Sequence, residues 1–376
     1  MREAGLGGHG ATAVAELLRS HPTYTHVDLG GNTIKDEGAK TLAGMLAESR
    51  SIRTLVLSSN EIGSEGASAL FAALKLNGCL ETLDLGLVDN GRKNRIGRPC
   101  ARDLAGALRG NETLTSLSLA GNNFGSEGCR AIAEGFEHNT RVKHLDLSMN
   151  KIRGEVASLF ASAFLSGASL ETLNLSSNQV GHQGCASIAK MLSSDSLLLR
   201  SLNLSGNLVG PKAAALLAAG LENNRLLSEL QLAGNELGAT GCTSLSGSLN
   251  KCNVTLLALG ENNIGDEGTL MLMRKLAENS SLKSLDLSSN QIGDYGGVAV
   301  SKMLQSNASL TSLNLEKNLI GDRGGVEIAQ GLGRNGVLLQ LSLKSNMFHD
   351  KTGSALVVAL RANKTLTELD VSWNDI

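Results

Sequence analysis

The pattern Leu-x-Leu-x-x-Asn, with occasional valine for leucine and one interruption, returns along the whole chain. Its asparagine falls at Asn32, Asn60, Asn94, Asn122, Asn150, Asn178, Asn207, Asn235, Asn262, Asn290, Asn318, Asn346 and Asn374. The intervals are 28, 34, 28, 28, 28, 29, 28, 27, 28, 28, 28 and 28 residues. A register held over that distance makes the chain a repeat array, which also explains how 376 residues avoid dividing into several separate cores.

Each copy reads in two halves, as in Leu285-Asp286-Leu287-Ser288-Ser289-Asn290 followed by Gln291-Ile292-Gly293-Asp294. The alternating leucines have the two-residue period of a short strand with one buried face. Asp36, Ser64, Ser126, Asp266, Asp294 and Asp322 follow, each offering a side-chain oxygen to the free amides of a starting helix. Pro99 and Pro211 hold the same position in their own copies, where a missing N–H costs nothing. Apolar residues then recur at helical spacing, as in Ala67, Leu70 and Leu74 or Cys242, Leu245 and Leu249. One strand and one helix per copy cannot bury their leucines alone, so neighbours must stack. The expected result is a single α/β solenoid over residues 1–376, with a parallel sheet lining the concave face of a horseshoe. The helices form its convex face, at about 28 residues per repeat.

Composition narrows the function classes. A formal net charge of -2 gives no footprint for a phosphate backbone, and aromatic residues at 2% leave almost no base-stacking platform. Nucleic acid is not expected as a partner. The cysteines Cys79, Cys100, Cys129, Cys185, Cys242 and Cys252 form no Cys-x-x-Cys pair and no Cys/His cluster, so neither a metal site nor a cofactor is implied. Cys129, Cys185 and Cys242 stand where Ala39 or Ala67 stand in other copies and read as small buried hydrophobes. The seven histidines have no orienting carboxylate at motif spacing and read as surface residues. Met1 to Leu18 lacks a signal-peptide layout, and no window approaches the ~20 apolar residues needed to span a bilayer. A soluble, cytoplasmic protein without membrane insertion is expected; its oligomeric state is open.

The motif Leu-x-x-Leu-x-Leu-x-x-Asn-x-Ile-Gly-x-x-Gly with a helix and a period of 28 resembles the ribonuclease-inhibitor-like class of leucine-rich repeats. Ribonuclease inhibitor, the C-terminal domains of NOD-like receptors and the Ran GTPase-activating protein share that class. The NOD-like receptor domains are the most similar in texture, through runs such as Asn262-Asn263-Ile264-Gly265-Asp266-Glu267-Gly268. The resemblance implies that the thirteen asparagines hydrogen-bond the backbone between adjacent coils. It also implies a protein-binding scaffold rather than an enzyme. No G-x-x-x-x-G-K-[ST] occurs, so the nucleotide-binding module of a full receptor is not expected. Two alternatives stand beside the scaffold reading: a GTPase-activating protein similar to the Ran-directed one, and a cytoskeletal or ciliary scaffold.

Candidate binding residues come from departures from the consensus. In the third repeat Val88 replaces the expected asparagine, and an insertion at 88–93 precedes Asn94. Arg92, Lys93, Arg95 and Arg98 gather there. This loop is either a tolerated basic surface or a contact for an acidic partner surface or phosphate group. On the strand face, the residues between the leucines are short, polar and mildly acidic, Asp370 being the last. Long side chains appear only in the C-terminal third, at Glu261, Glu316, Lys317, Lys344 and Trp373. Trp373 is a binding hot spot or the cover of an exposed end. Neither terminus carries a polar capping repeat, which suggests a fragment of a longer protein or ends that dock elsewhere.

Overall fold

The computed structural model describes residues 1–87, 92–167, 169–194 and 196–376. Residues 88–91, most of the inserted segment, lie outside it. The chain divides into two compact units, Met1–Val180 with Ser196–Leu199, and Gly181–Asp195 with Arg200–Ile376.

The first unit carries the strands β1 (His26–Asp28), β2 (Thr54–Val56), β3 (Thr82–Asp84), β4 (Ser116–Ser118), β5 (His144–Asp146) and β6 (Thr172–Asn174). They alternate with helices α1 (Gly7–Ser20), α2 (Lys35–Glu48), α3 (Ser64–Leu76), α4 (Ala101–Gly110), α5 (Gly125–Phe136) and α6 (Gly154–Leu165). Its strands pair in parallel, in chain order, with Val27, Leu55, Leu83, Leu117, Leu145 and Leu173 in one register row. The insertion does not disturb that row, because β3 and β4 pair as their neighbours do.

The second unit repeats the plan. Its strands are β7 (Ser201–Asn203), β8 (Glu229–Gln231), β9 (Leu256–Ala258), β10 (Ser284–Asp286), β11 (Ser312–Asn314), β12 (Gln340–Ser342) and β13 (Glu368–Asp370). The helices are α7 (Gly181–Leu192), α8 (Gly210–Leu221), α9 (Gly238–Ser248), α10 (Gly265–Leu276), α11 (Asp294–Ser306), α12 (Asp322–Arg334) and α13 (Asp350–Ala362). Leu202, Leu230, Leu257, Leu285, Leu313, Leu341 and Leu369 form its register row. One-residue shortening before β9 leaves the register intact. This is an α/β leucine-rich-repeat solenoid, with strands in one layer and helices in the other.

Between the layers lie leucines almost wholly removed from water, joined in the first unit by Phe136, Phe160 and Phe164 with ring centroids 5.6 to 6.3 Å apart. Helices approach closely where a side chain is missing. A Cβ at Gly331 of α12 would lie 2.7 Å from the Ser301 carbonyl oxygen of α11, so the contact requires glycine there.

The asparagine column holds neighbouring repeats together. Asn60 donates its amide to the Leu29 carbonyl (2.8 Å) and its own Ser58 carbonyl (3.1 Å), while its Oδ1 accepts from the Asn32 and Ile34 amides (2.9 and 3.3 Å). In the second unit Asn290 donates to Leu259 and Ser288 and accepts from Asn262 and Ile264 in the same way. Each strand exit leaves these backbone groups without ladder partners, and the buried amide satisfies them. Residues flanking the asparagine take left-handed backbone, among them Ser59 (φ 55°) and Glu61 (φ 58°).

The helix-starting carboxylates act differently from expectation. Asp36 sits in the first turn of α2, yet its Oδ1 accepts from the Gly63 and Gly66 amides at the start of α3, at 2.8 and 2.9 Å. Asp266, Asp294 and Asp322 likewise cap α11, α12 and α13. A side chain already inside the first turn does not reach back to its own orphan amides, but it lies beside those of the next repeat. No side-chain bond of this kind is made by Ser64 or Ser126 among the described residues. Pro211 falls in the first turn of α8, whereas Pro99 lies in a turn and α4 begins only at Ala101.

Two stability tests follow. Asn290→Ala orphans two amides and two carbonyls in a buried setting and should cost about 3 kcal/mol, read as a lower urea midpoint. The Thr352 hydroxyl, then the His349 amide, hold the Asp322 carboxyl below the usual aspartate range. A depressed folded value contributes stability in full above the unfolded aspartate value near ~3.9 and loses it as pH falls through the folded value. The midpoint gap between the native chain and Asp322→Ala should therefore be present at neutral pH and close on acidification.

Candidate functional site

The strand face is largely committed to the backbone. Asp28, Asp84, Asp146, Asn174, Asn203, Asp286, Asn314 and Asp370 each accept from the amide two residues on, at 2.8 to 3.0 Å. Their acidic and amide groups thus shape the strand exit as well as facing solvent. The signal was present in the sequence as Asp or Asn followed two positions later by Gly or Ser, with Glu316 after Asn314 as the exception.

At the C-terminal end of this face the long side chains form one charged group. Glu316 lies 3.5 Å from Lys344 and 3.4 Å from Lys317. The Ser372 hydroxyl, then its amide, draw the Asp370 carboxyl below the usual range, and the Lys344 charge adds to the effect. A shallow cleft of about 510 Å3 runs over Asn314, Ser342 and Asp370. Trp373, three residues beyond β13, is 80% exposed and takes a left-handed backbone, φ 60°. Glu261 is exposed but makes no ion pair among the described residues, so it stands apart from that group.

In the first unit Arg92, Lys93 and Arg95 come together along a cleft of about 780 Å3, with Glu61, Asn94, Gly121, Asn123, Met149 and Lys151 completing the lining. Arg92 pairs with Glu61 at 3.2 Å. Arg98 does not join them: it pairs with Glu127 in a separate groove along α4 and α5. Lys151, Asn123 and Glu61 were not singled out from sequence, although each directly follows a ladder asparagine and therefore stacks in line with Arg95. Beneath this cleft the ladder has a defect. The Oδ1 of Asn122 is buried without a partner among the described residues, while Gly97 still donates to the Asn122 carbonyl at 3.0 Å.

A second asparagine column also went unread. Asn77, Asn111 and Asn139 in the first unit, and Asn224, Asn279, Asn307, Asn335 and Asn363 in the second, donate to a leucine carbonyl at the C-terminal end of the previous repeat's helix. Each Oδ1 accepts from amides two and three residues on, as at Cys79 and Leu80. The recurrence of Asn-x-x-Leu just ahead of the strand carried this signal. Among the described residues no group of three potential metal ligands converges.

Ten stretches match the family model of the leucine rich repeat, at residues 21–43, 48–71, 110–133, 138–161, 168–189, 223–246, 250–273, 278–301, 306–329 and 362–376, together more than half of the chain. Solved structures share the architecture. An internalin of Listeria monocytogenes is 19% identical with a TM-score of 0.53, over 98% of this chain and 94% of that one. A chain of the yeast Rad7 and Elc1 complex is 18% identical with a TM-score of 0.57, over 96% of this chain and 82% of that one. At these identities the likeness is one of fold. No curated protein matches the sequence significantly.

The thiols give a test of burial. Desolvation pushes Cys100, Cys129, Cys185 and Cys242 up to about 12, far from thiolate at neutral pH. An aromatic disulfide reagent should label these four only on unfolding; fast labelling of the native chain would contradict their packing role.

Proposed function

Because the chain belongs to the leucine-rich-repeat family, whose fold serves in general as a protein–protein interaction scaffold, we propose that it binds a protein partner and performs no chemistry of its own. The partner contacts the strand face around Glu316, Lys317, Lys344, Asp370 and Trp373, with Glu261 as a separate contact, and the cleft at Arg92, Lys93 and Arg95. The observation that carries this reading is the exposure of Trp373, next to the ladder residue Asn374, at the end of a strand face that also carries the Glu316–Lys344 ion pair. An exposed aromatic side chain held by a preordered frame, with charged groups on the same face, is what a tight interface uses.

The finer class is the ribonuclease-inhibitor-like one, with a NOD-like texture. It is supported by an α-helix opposite the strand in every described repeat and by the 28-residue period. Six buried, unpaired cysteines suit a reducing compartment, and we place the protein in the cytoplasm. Among the described residues no helix is long and apolar enough to cross a membrane.

Affinity capture from a lysate of the source cell tests the reading. The intact chain should retain a specific partner that is lost at least about tenfold on combining Glu316→Ala, Lys344→Ala and Trp373→Ala, or on deleting residues 88–93. Retention of a small GTPase whose hydrolysis rises on addition would replace the scaffold by a GTPase regulator. Capture unaffected by either variant would remove both proposed surfaces.

A further inference from the structure

Several surface cations of the first unit are neutralised by carboxylates of a neighbouring repeat. Arg19 pairs with Glu48 (3.1 Å), Lys40 with Glu65 (2.8 Å), Arg53 with Glu81 (3.5 Å) and Lys143 with Glu171 (2.9 Å). The 780 Å3 cleft instead gathers unpaired cations in one place. Arg92 takes up Glu61, but Lys93, Arg95 and Lys151 line the same space with no carboxylate partner among the described residues. Three cations without a carboxylate partner among the described residues share one concavity on a chain whose net charge is -2.

The cleft owes its opening to position. Its lining comes from residues flanking four successive ladder asparagines: Glu61, then Lys93 and Arg95, then Gly121 and Asn123, then Met149 and Lys151. Gly121 leaves a gap in that row. Its φ of +71° and the Leu87 side chain 3.2 Å from where a Cβ would stand both disfavour a larger residue. Left-handed backbone at Asn123, Met149 and Lys151, and the Asn150 hydrogen bonds to Leu119 and Ser148, hold that side of the rim.

We propose that this cleft binds an acidic, extended segment of a protein partner, carrying closely spaced Asp or Glu residues. The proposal rests on the protein-binding reading above and specifies what the cleft takes. Neighbouring parallel strands lie ~4.8 Å apart, so Arg95 and Lys151, two repeats apart, are separated by roughly 10 Å of backbone. In an extended peptide of polyproline-II form, with three residues per turn and a rise of ~3.1 Å, residues i and i+3 share a face about 9 Å apart. Such spacing suits successive carboxylates along a chain better than a single phosphate, on which the cations would have to converge. No aromatic residue lines the cleft, so it offers no stacking platform for nucleic-acid bases.

The test uses the full chain and a fluorescein-labelled octaglutamate peptide, with octaglutamine as the neutral control, read by fluorescence anisotropy. Octaglutamate should bind and octaglutamine should not, with affinity falling as salt rises from 50 to 300 mM, about where screening shortens below the cleft's dimensions. Combining Arg95→Glu with Lys151→Glu should weaken binding at least about tenfold. Lys190→Glu with Lys302→Glu makes the same change in net charge on helices away from the cleft and should leave binding within about twofold. Unchanged urea midpoints establish that the variants are folded. Equal loss in both charge-reversed pairs, equal binding of octaglutamine, or displacement of the peptide by inorganic phosphate or a single-stranded oligonucleotide at lower concentration than by unlabelled octaglutamate would overturn the proposal. If octaglutamate fails to bind while a partner is still captured through the Trp373 surface, the cleft assignment falls and the interaction reading stands.

Discussion

A buried asparagine amide facing two repeats at once is the interaction on which this structure depends. A solenoid strand three residues long makes few ladder hydrogen bonds, and its exit turn leaves amides and carbonyls inside the protein. Asn60, Asn150, Asn235 and Asn290 close those groups across the repeat boundary, with side-chain donor and acceptor used together. The cost of an unpaired buried amide makes each such residue irreplaceable by an apolar one of similar size. The same bonds pin the left-handed residues on either side. Most side chains at those flanking positions, such as Asn123, Met149 and Lys151, are exposed and project from a backbone that is already fixed.

Electrostatics between repeats works on the same principle. A carboxylate in the first helical turn serves the next helix rather than its own, so Asp36, Asp266, Asp294 and Asp322 contribute to stacking as much as to helix formation. The second asparagine column does the converse at the helix C-termini, where Asn307 donates to Leu276 and Asn335 to Leu304. Helix ends in a repeat array are thereby satisfied by neighbours. Stability becomes a sum over interfaces between repeats more than over repeats themselves.

The fold was legible because period and residue type reinforce one another: leucines two apart, an asparagine three further on, and a helix-spaced stripe. The roles of individual polar residues were less so. Asp36 looks from sequence like a cap, and it is one, but only three-dimensional stacking shows that α3 receives it. Arg98 lies three residues from Arg95 and reads as part of one basic cluster, yet the late start of α4 turns it towards Glu127. Lys151 lies 56 positions from Arg95 and shares its cleft, because two repeats bring equivalent positions into line. Sequence proximity misleads in a solenoid, and position modulo the repeat is the better coordinate.

If the ladder fixes the backbone and thereby frees the flanking side chains for binding, its amides must be among the most protected in the molecule. Native-state hydrogen exchange reports on this directly. The Asn262 and Ile264 amides, which donate to Asn290 Oδ1 at 3.0 and 3.2 Å, should exchange only through global unfolding of their unit, as slowly as the central strand amide of Leu285. Exchange of those two amides by local opening, at rates like those of exposed turns, would contradict the account.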